Sequence, residues 1–174
     1  MILALTGMMG SGKTTVGRLV ADALGCPFMD MDELVARKAG KGIAAFFATD
    51  GEAAFRLLEG KVLKETVKKY AQSTAVLALG GGTVTAPGAL SLLRDHTLCI
   101  WLQVSEAEAL TRIGDTGDHP LARLAGAQDR PLAGDWAALL EARTPLYAAA
   151  AQVTLDTDGA APETLADEII ISVL

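Results

Sequence analysis

Gly7-Met8-Met9-Gly10-Ser11-Gly12-Lys13-Thr14 follows directly on the apolar run Ile2-Leu3-Ala4-Leu5. The octet has the spacing G-x-x-x-x-G-K-[ST], in the context that gives the motif its meaning: a strand before it and a helix after. Glycines let consecutive backbone N–H groups of such a loop turn inward, an anion nest at a helix N-terminus. Lys13 would then reach the β- and γ-phosphates of a nucleoside triphosphate, and the Thr14 hydroxyl would ligate Mg²⁺. Val16, Leu19, Val20, Ala23 and Leu24 recur at i, i+3, i+4, i+7 and i+8, which predicts a helix over 13–24. The expectation is that the chain binds a nucleoside triphosphate. The bland alternative is a glycine-rich strand-to-helix turn without nucleotide.

Outward from that loop, strand-like and helical patterns alternate. Strands are predicted over 2–6, 27–30, 74–79, 97–102 and 153–155. Helices are predicted over 13–24, 31–40, 51–70, 87–93, 105–113, 134–143 and 162–174, the last with Pro162 in its first turn. Thr144-Pro145 is expected to end the sixth helix, because a residue before proline is biased away from the helical region. This alternation calls for an α/β fold, a parallel sheet with helices on both faces. Ligands of such sheets bind outside the carboxyl ends of the strands. The rule points to residues 7–14, 30–32 and 80–82, each after an apolar strand.

Residues 114–135 break the pattern, with four glycines, two prolines and little periodicity. So long a connection without structure of its own is usually functional or disordered. It reads as a mobile lid that excludes water, against the alternative of a floppy surface excursion. At 174 residues and 51% hydrophobic, the chain is read as one domain spanning 1–174. A net charge of −6 argues against nucleic acid or an anionic membrane as partner. No stretch reaches the ~18 consecutive apolar residues of a membrane span. No signal peptide is visible, so a cytoplasmic location is expected. Cys26 and Cys99 form no C-x-x-C pair and read as buried small hydrophobes.

Three further features carry chemistry. Phe28-Met29-Asp30-Met31-Asp32 ends the second strand with two carboxylates, on the same side if the segment stays extended. One would hold Mg²⁺ or its waters and the other would accept a proton from an attacking hydroxyl; a helix cap is the simpler reading. Gly80-Gly81-Gly82 implies close approach of a backbone or ligand, or else a loose turn. Arg143 falls on the stripe of Trp136, Leu139 and Leu140, where a guanidinium needs a partner unless it snorkels to solvent. Arg56 shows the same ambiguity, with Glu59 three residues on to hold it. Two arginines converging on one pocket suit a carboxylate, through planar bidentate hydrogen bonds.

Together these segments resemble the shikimate kinase family: G-M-M-G-S-G-K-T-T-V-G-R at 7–18, F-x-D-x-D at 28–32, G-E-x-x-F-R-x-x-E at 51–59, G-G-G at 80–82 and R-x-P-L-Y at 143–147. The similarity spans essentially the whole chain. It implies a nucleoside-monophosphate-kinase-like fold, with a five-stranded parallel sheet in order 2-3-1-4-5. It also implies ATP-dependent, Mg²⁺-assisted phosphorylation of the 3-hydroxyl of shikimate, by a monomer, on the route to chorismate. Carried over position by position, Gly10, Ser11, Gly12, Lys13, Thr14 and Thr15 would wrap the phosphates, with Thr14 and Asp30 serving the metal. Asp32 would bind the ring hydroxyls and accept the proton. Arg56 and Arg143 would hold the carboxylate, Gly80, Gly81 and Gly82 would meet the substrate by backbone, and Arg112 would lie near adenine beside Asp156-Thr157-Asp158. The lid departs from the family pattern. Arg130-Pro131-Leu132 has the usual residues but lies late, whereas His119-Pro120-Leu121 has the usual spacing from Arg112 but offers a histidine. Arg130 is the expected phosphate contact, since transition-state charge favours a permanent cation; Arg123 is a third candidate. The rivals are a gluconate-type kinase and a non-catalytic nucleotide-binding or regulatory relative.

Overall fold

A computed structural model describes residues 1–116 and 133–173. Its centre is β1 (Ile2–Thr6), every residue of which is buried. β3 (Ala75–Ala78) and β4 (Leu98–Gln103) flank it in parallel, with Leu3 opposite Val76 on one side and Leu98 on the other. β2 (Phe28–Asp30) pairs with β3, and β5 (Val153–Asp156) pairs with β4. The strand order is therefore β2-β3-β1-β4-β5, as expected.

Side chains of the central strands divide by period two. Ile2, Ala4, Leu77, Cys99 and Trp101 enter one core. On that face lie α3 (Ile43–Lys69), α4 (Ala89–His96) and α6 (Ala133–Ala150). Leu3, Leu5, Val76, Ile100 and Leu102 enter the other, with α1 (Lys13–Leu24) and α7 (Pro162–Val173). α2 (Met31–Ala39) follows β2 directly, and α5 (Glu106–Thr116) follows β4. Burial on both faces explains why the strands read as continuous apolar runs.

Four local expectations are corrected. The third helix begins at Ile43, and its interruption is Gly51 at φ 81°, ψ 171°, a conformation open essentially to glycine alone. The fourth helix begins later than expected, at Ala89, after a short 3₁₀ turn over Thr83–Thr85, and runs on to His96. Cys26 is only half-buried, whereas Cys99 is fully enclosed. Pro145 does not end α6, which runs on to Ala150. The Thr144 hydroxyl donates to the Leu140 carbonyl at 2.7 Å. The turns beyond the proline bury Tyr147 and Ala150 completely. That burial outweighs the helix-interior penalty of about 3 kcal/mol. Residues 117–132, most of the expected lid, lie outside the described residues.

Candidate active site

Parallel strands bring their C-terminal loops to one edge, where a cavity of about 1040 Å³ opens. Its floor is the loop after β1, where Gly10 and Gly12 take φ of 84° and 87°. Gly12 caps α1 without a side-chain hydrogen bond, so the helix presents bare amides to the cavity. Ser11 is buried, and Thr14 and Thr15 are exposed at the first turn. The Lys13 ammonium folds across the loop, donating to the carbonyls of Gly7 at 2.9 Å and Met8 at 2.7 Å. Burial lowers its pKa to about 8.

β2 gives way to helix at Met31, so Asp30 and Asp32 do not alternate as on an extended strand. Asp30 caps α2 and also meets Thr14. One carboxylate oxygen accepts the Asp32 amide at 2.9 Å as an N-cap, and the other accepts the Thr14 hydroxyl at 3.0 Å. Thr14 and Asp30 thus set two hard oxygen donors side by side at the phosphate loop, an arrangement suited to Mg²⁺, which takes few protein ligands. Asp32 is half-buried and lines the cavity. Its pKa is raised to about 6, chiefly by burial, with the Asp30 and Glu59 charges adding to the effect.

The triple glycine is a contact surface. A Cβ on Gly80 would lie 2.7 Å from an Asp32 carboxylate oxygen. One on Gly82 would lie 2.5 Å from Cζ of Arg56, so the guanidinium rests on the bare backbone. Arg56 donates from Nη1 to Glu59 at 2.6 Å, and Glu59 also accepts the Thr83 hydroxyl at 2.5 Å. Glu59 is only 1% exposed, so its charge is compensated by Arg56. Nε of Arg56 is buried without a partner. Arg143 is half-buried, with Nη1 4.0 Å from the Met8 sulfur and 3.6 Å from where a Gly81 Cβ would stand. It turns toward the glycine loop and does not snorkel. Both expected guanidinium groups therefore adjoin one short segment, Gly81-Gly82.

At the opposite end, Arg112 reaches from α5 across to the loop after β5. It donates to the Thr157 carbonyl at 2.7 Å, the Thr157 hydroxyl at 3.1 Å and the Gly10 carbonyl at 3.2 Å, with Glu108 at 3.0 Å holding Nε. Arg112 thus braces the phosphate loop against the Asp156-Thr157-Asp158 segment. Asp158 in turn accepts the Ser105 amide at 2.9 Å. Beside Arg112 the cavity wall is apolar, with Ile113, Ala160, Pro162 and Leu165.

Sequence reasoning missed Thr83 and Glu108, and gave Tyr147, the last residue of R-x-P-L-Y, no task. Tyr147 stands four residues after Arg143, on the same stripe, and its task would have been found had the helix been continued through Pro145. Arg130, Arg123 and His119 lie outside the described residues. No helix among the described residues is long and apolar enough to cross a membrane.

Comparison with known proteins agrees with this geometry. The family model described as shikimate kinase matches residues 9–174. A shikimate kinase of Mycobacterium avium is 41% identical over 166 residues, which is 95% of this chain and 89% of that protein. The structure of shikimate kinase from Acinetobacter baumannii in complex with shikimate superposes with a TM-score of 0.87 at 33% identity, covering 99% of this chain and 92% of the other. A shikimate kinase structure from Aquifex aeolicus gives 0.80 at 32% identity, with 99% and 96% covered.

Proposed function

The chain belongs to the shikimate kinase family, and we propose that it transfers the γ-phosphoryl group of ATP to the 3-hydroxyl of shikimate, giving 3-phosphoshikimate and ADP. The observation that carries this reading is the pair Arg56 and Arg143 on Gly81-Gly82, with Asp32 at the adjoining Gly80. A carboxylate held by that pair places a ring hydroxyl between Asp32 and the phosphate loop.

Each residue has a task. Amides from Gly10 through Thr15 cradle the phosphates, and Lys13 neutralises charge that grows in transfer. Thr14 and Asp30 would hold Mg²⁺, which would supply positive charge to the phosphates during transfer. Arg56 and Arg143 offer their guanidinium groups to the acid, while Gly80, Gly81 and Gly82 meet the ring through backbone. Asp32, ionised above about pH 6, accepts the proton of the attacking hydroxyl. As the new oxygen–phosphorus bond forms, the bond from the γ-phosphorus to the bridging oxygen breaks and ADP departs. The apolar wall beside Arg112 receives the base. Arg130 is the lid cation of choice for the phosphates, ahead of Arg123 and His119.

The protein is on this reading a cytoplasmic monomer, with two small-molecule substrates and neither nucleic acid nor membrane as partner. Its net charge of −6 supports that. The test is a coupled ADP-release assay across hydroxy acids. Turnover with shikimate is expected; turnover with gluconate alone, or tight ATP binding with no acceptor, would overturn the reading.

A further inference from the structure

Tyr147 lies on α6 one turn beyond Arg143 and is 0% exposed. A hydroxyl so enclosed must be satisfied within the protein. It donates to the Gly81 carbonyl and stands 3.5 Å from the sulfur of Met8. The ring is fixed from behind by Trp101, centroid to centroid 5.6 Å. Arg143 Nη1 lies 4.0 Å from the same Met8 sulfur. Three parts of the pocket therefore meet around this side chain: the phosphate loop through Met8, the glycine segment through Gly81, and the Arg143 guanidinium, which shares the Met8 sulfur with the phenol.

We infer that Tyr147 is a positioning residue for the acid end of the site: its hydroxyl holds the Gly81 carbonyl, beside which Arg143 stands, at a fixed distance from the phosphate loop. The inference rests on the function proposed above. A phenol has one proton to donate, and here it goes to the Gly81 carbonyl. In a trans peptide the C=O and the following N–H point in opposite directions. Drawing the Gly81 carbonyl toward Tyr147 thus turns the Gly82 N–H the other way. Without the hydroxyl, the Gly81 carbonyl would lose a side-chain hydrogen bond within a run of three conformationally free glycines. Met8 completes the strut. Its side chain touches the tyrosine while its own carbonyl holds Lys13 at 2.7 Å. Burial raises the Tyr147 pKa to about 12, so the group stays a donor across the working pH range.

The experiment is Tyr147→Phe, which keeps the ring against Trp101 and removes only the hydroxyl. Shikimate KM and the shikimate Kd by titration calorimetry should rise about tenfold, the scale of one lost buried hydrogen bond. ATP KM and kcat should stay within about twofold. Met8→Leu, which keeps the volume and deletes the sulfur, should raise shikimate KM by a smaller factor in the same direction. A purely structural tyrosine would lower the melting temperature with the shikimate constants unmoved, and that result overturns the inference. So does an equal rise in both KM values. Should the wild-type protein neither bind nor phosphorylate shikimate, the functional reading falls and takes this one with it. A wild type that turns over shikimate beside a Tyr147→Phe variant with unchanged shikimate constants sinks this inference alone.

Discussion

Asp32→Asn should make the protein more stable and far less active, with a gain that depends on pH in one direction only. The carboxyl of Asp32 is moved from its ordinary 3.8 to about 6, mainly by burial and by the neighbouring Asp30 and Glu59 charges. That displacement corresponds to a penalty of about 3 kcal/mol on the native state whenever the group is ionised. Attraction to Lys13 and Arg56 works the other way and is already contained in the net value. The sign follows from proton counting. Between pH 4 and 6 the native state holds the proton and the unfolded chain does not, so stability falls as pH rises through that window. Above pH 6 the whole penalty applies, and below about pH 4 little of it remains. Asparagine has the same shape and never ionises. At pH 7.5 the variant should therefore gain about 1.5–3 kcal/mol, or a melting temperature higher by about 4–8 °C. By pH 5 the advantage should shrink to about half, and near pH 4 it should nearly vanish. Turnover should drop at least about 100-fold, the lower range for loss of a general base. Thermal melts of both proteins from pH 4 to 8, with a coupled ADP assay at pH 7.5, measure all of this. A variant less stable than wild type at pH 7.5, or equally advantaged at pH 4 and 7.5, would refute the electrostatic account.

The same shift sets the acid limb of the rate profile: kcat/KM for shikimate should fall tenfold per pH unit below about 6. Lys13 has its pKa lowered to about 8, so only its charged form below that pH greets the phosphates. ATP Kd should be flat up to about pH 8 and then weaken, and Lys13→Ala should abolish the pH dependence along with turnover while folding is little affected; a wild-type Kd flat to pH 9.5 would contradict this. Arg143→Ala should raise shikimate KM much more than ATP KM, and an unchanged shikimate KM in steady-state assays would remove Arg143 from the acid site. Glu59→Gln takes the countercharge from Arg56 in a 1%-exposed position; a loss of about 3 kcal/mol in chemical denaturation, with weaker shikimate binding, is expected.

Which parts of this site could be read without coordinates follows from the range of the forces that set them. The phosphate loop is a local object: its glycines, lysine and threonine lie within eight positions, and backbone geometry alone makes the anion nest. The strand order came from a resemblance, and the sheet agrees with it. Asp30 illustrates a different limit. In the sequence, capping and metal binding look like alternatives, yet a carboxylate has two oxygens, and one accepts the Asp32 amide while the other accepts the Thr14 hydroxyl. Helical spacing makes Glu59 a holder for Arg56, but the Thr83 hydroxyl on its other oxygen comes from 24 residues away, where no periodicity points.

Pro145 shows where a local rule loses to a long-range one. Proline costs a helix about 3 kcal/mol through one missing hydrogen bond and a steric clash, and from sequence alone that cost looks decisive. The far turns, however, place Tyr147 against Trp101 and the glycine loop, and Ala150 into the core. Burying an aromatic ring of that size contributes as much as the proline removes. Had the helix stopped at Thr144, Arg143 would sit on a frayed end with no phenol beneath it. The proline is tolerated because the segment beyond it holds the Gly81 carbonyl and the Met8 sulfur that Arg143 also approaches, so the irregular helix and the shape of this corner have one physical cause.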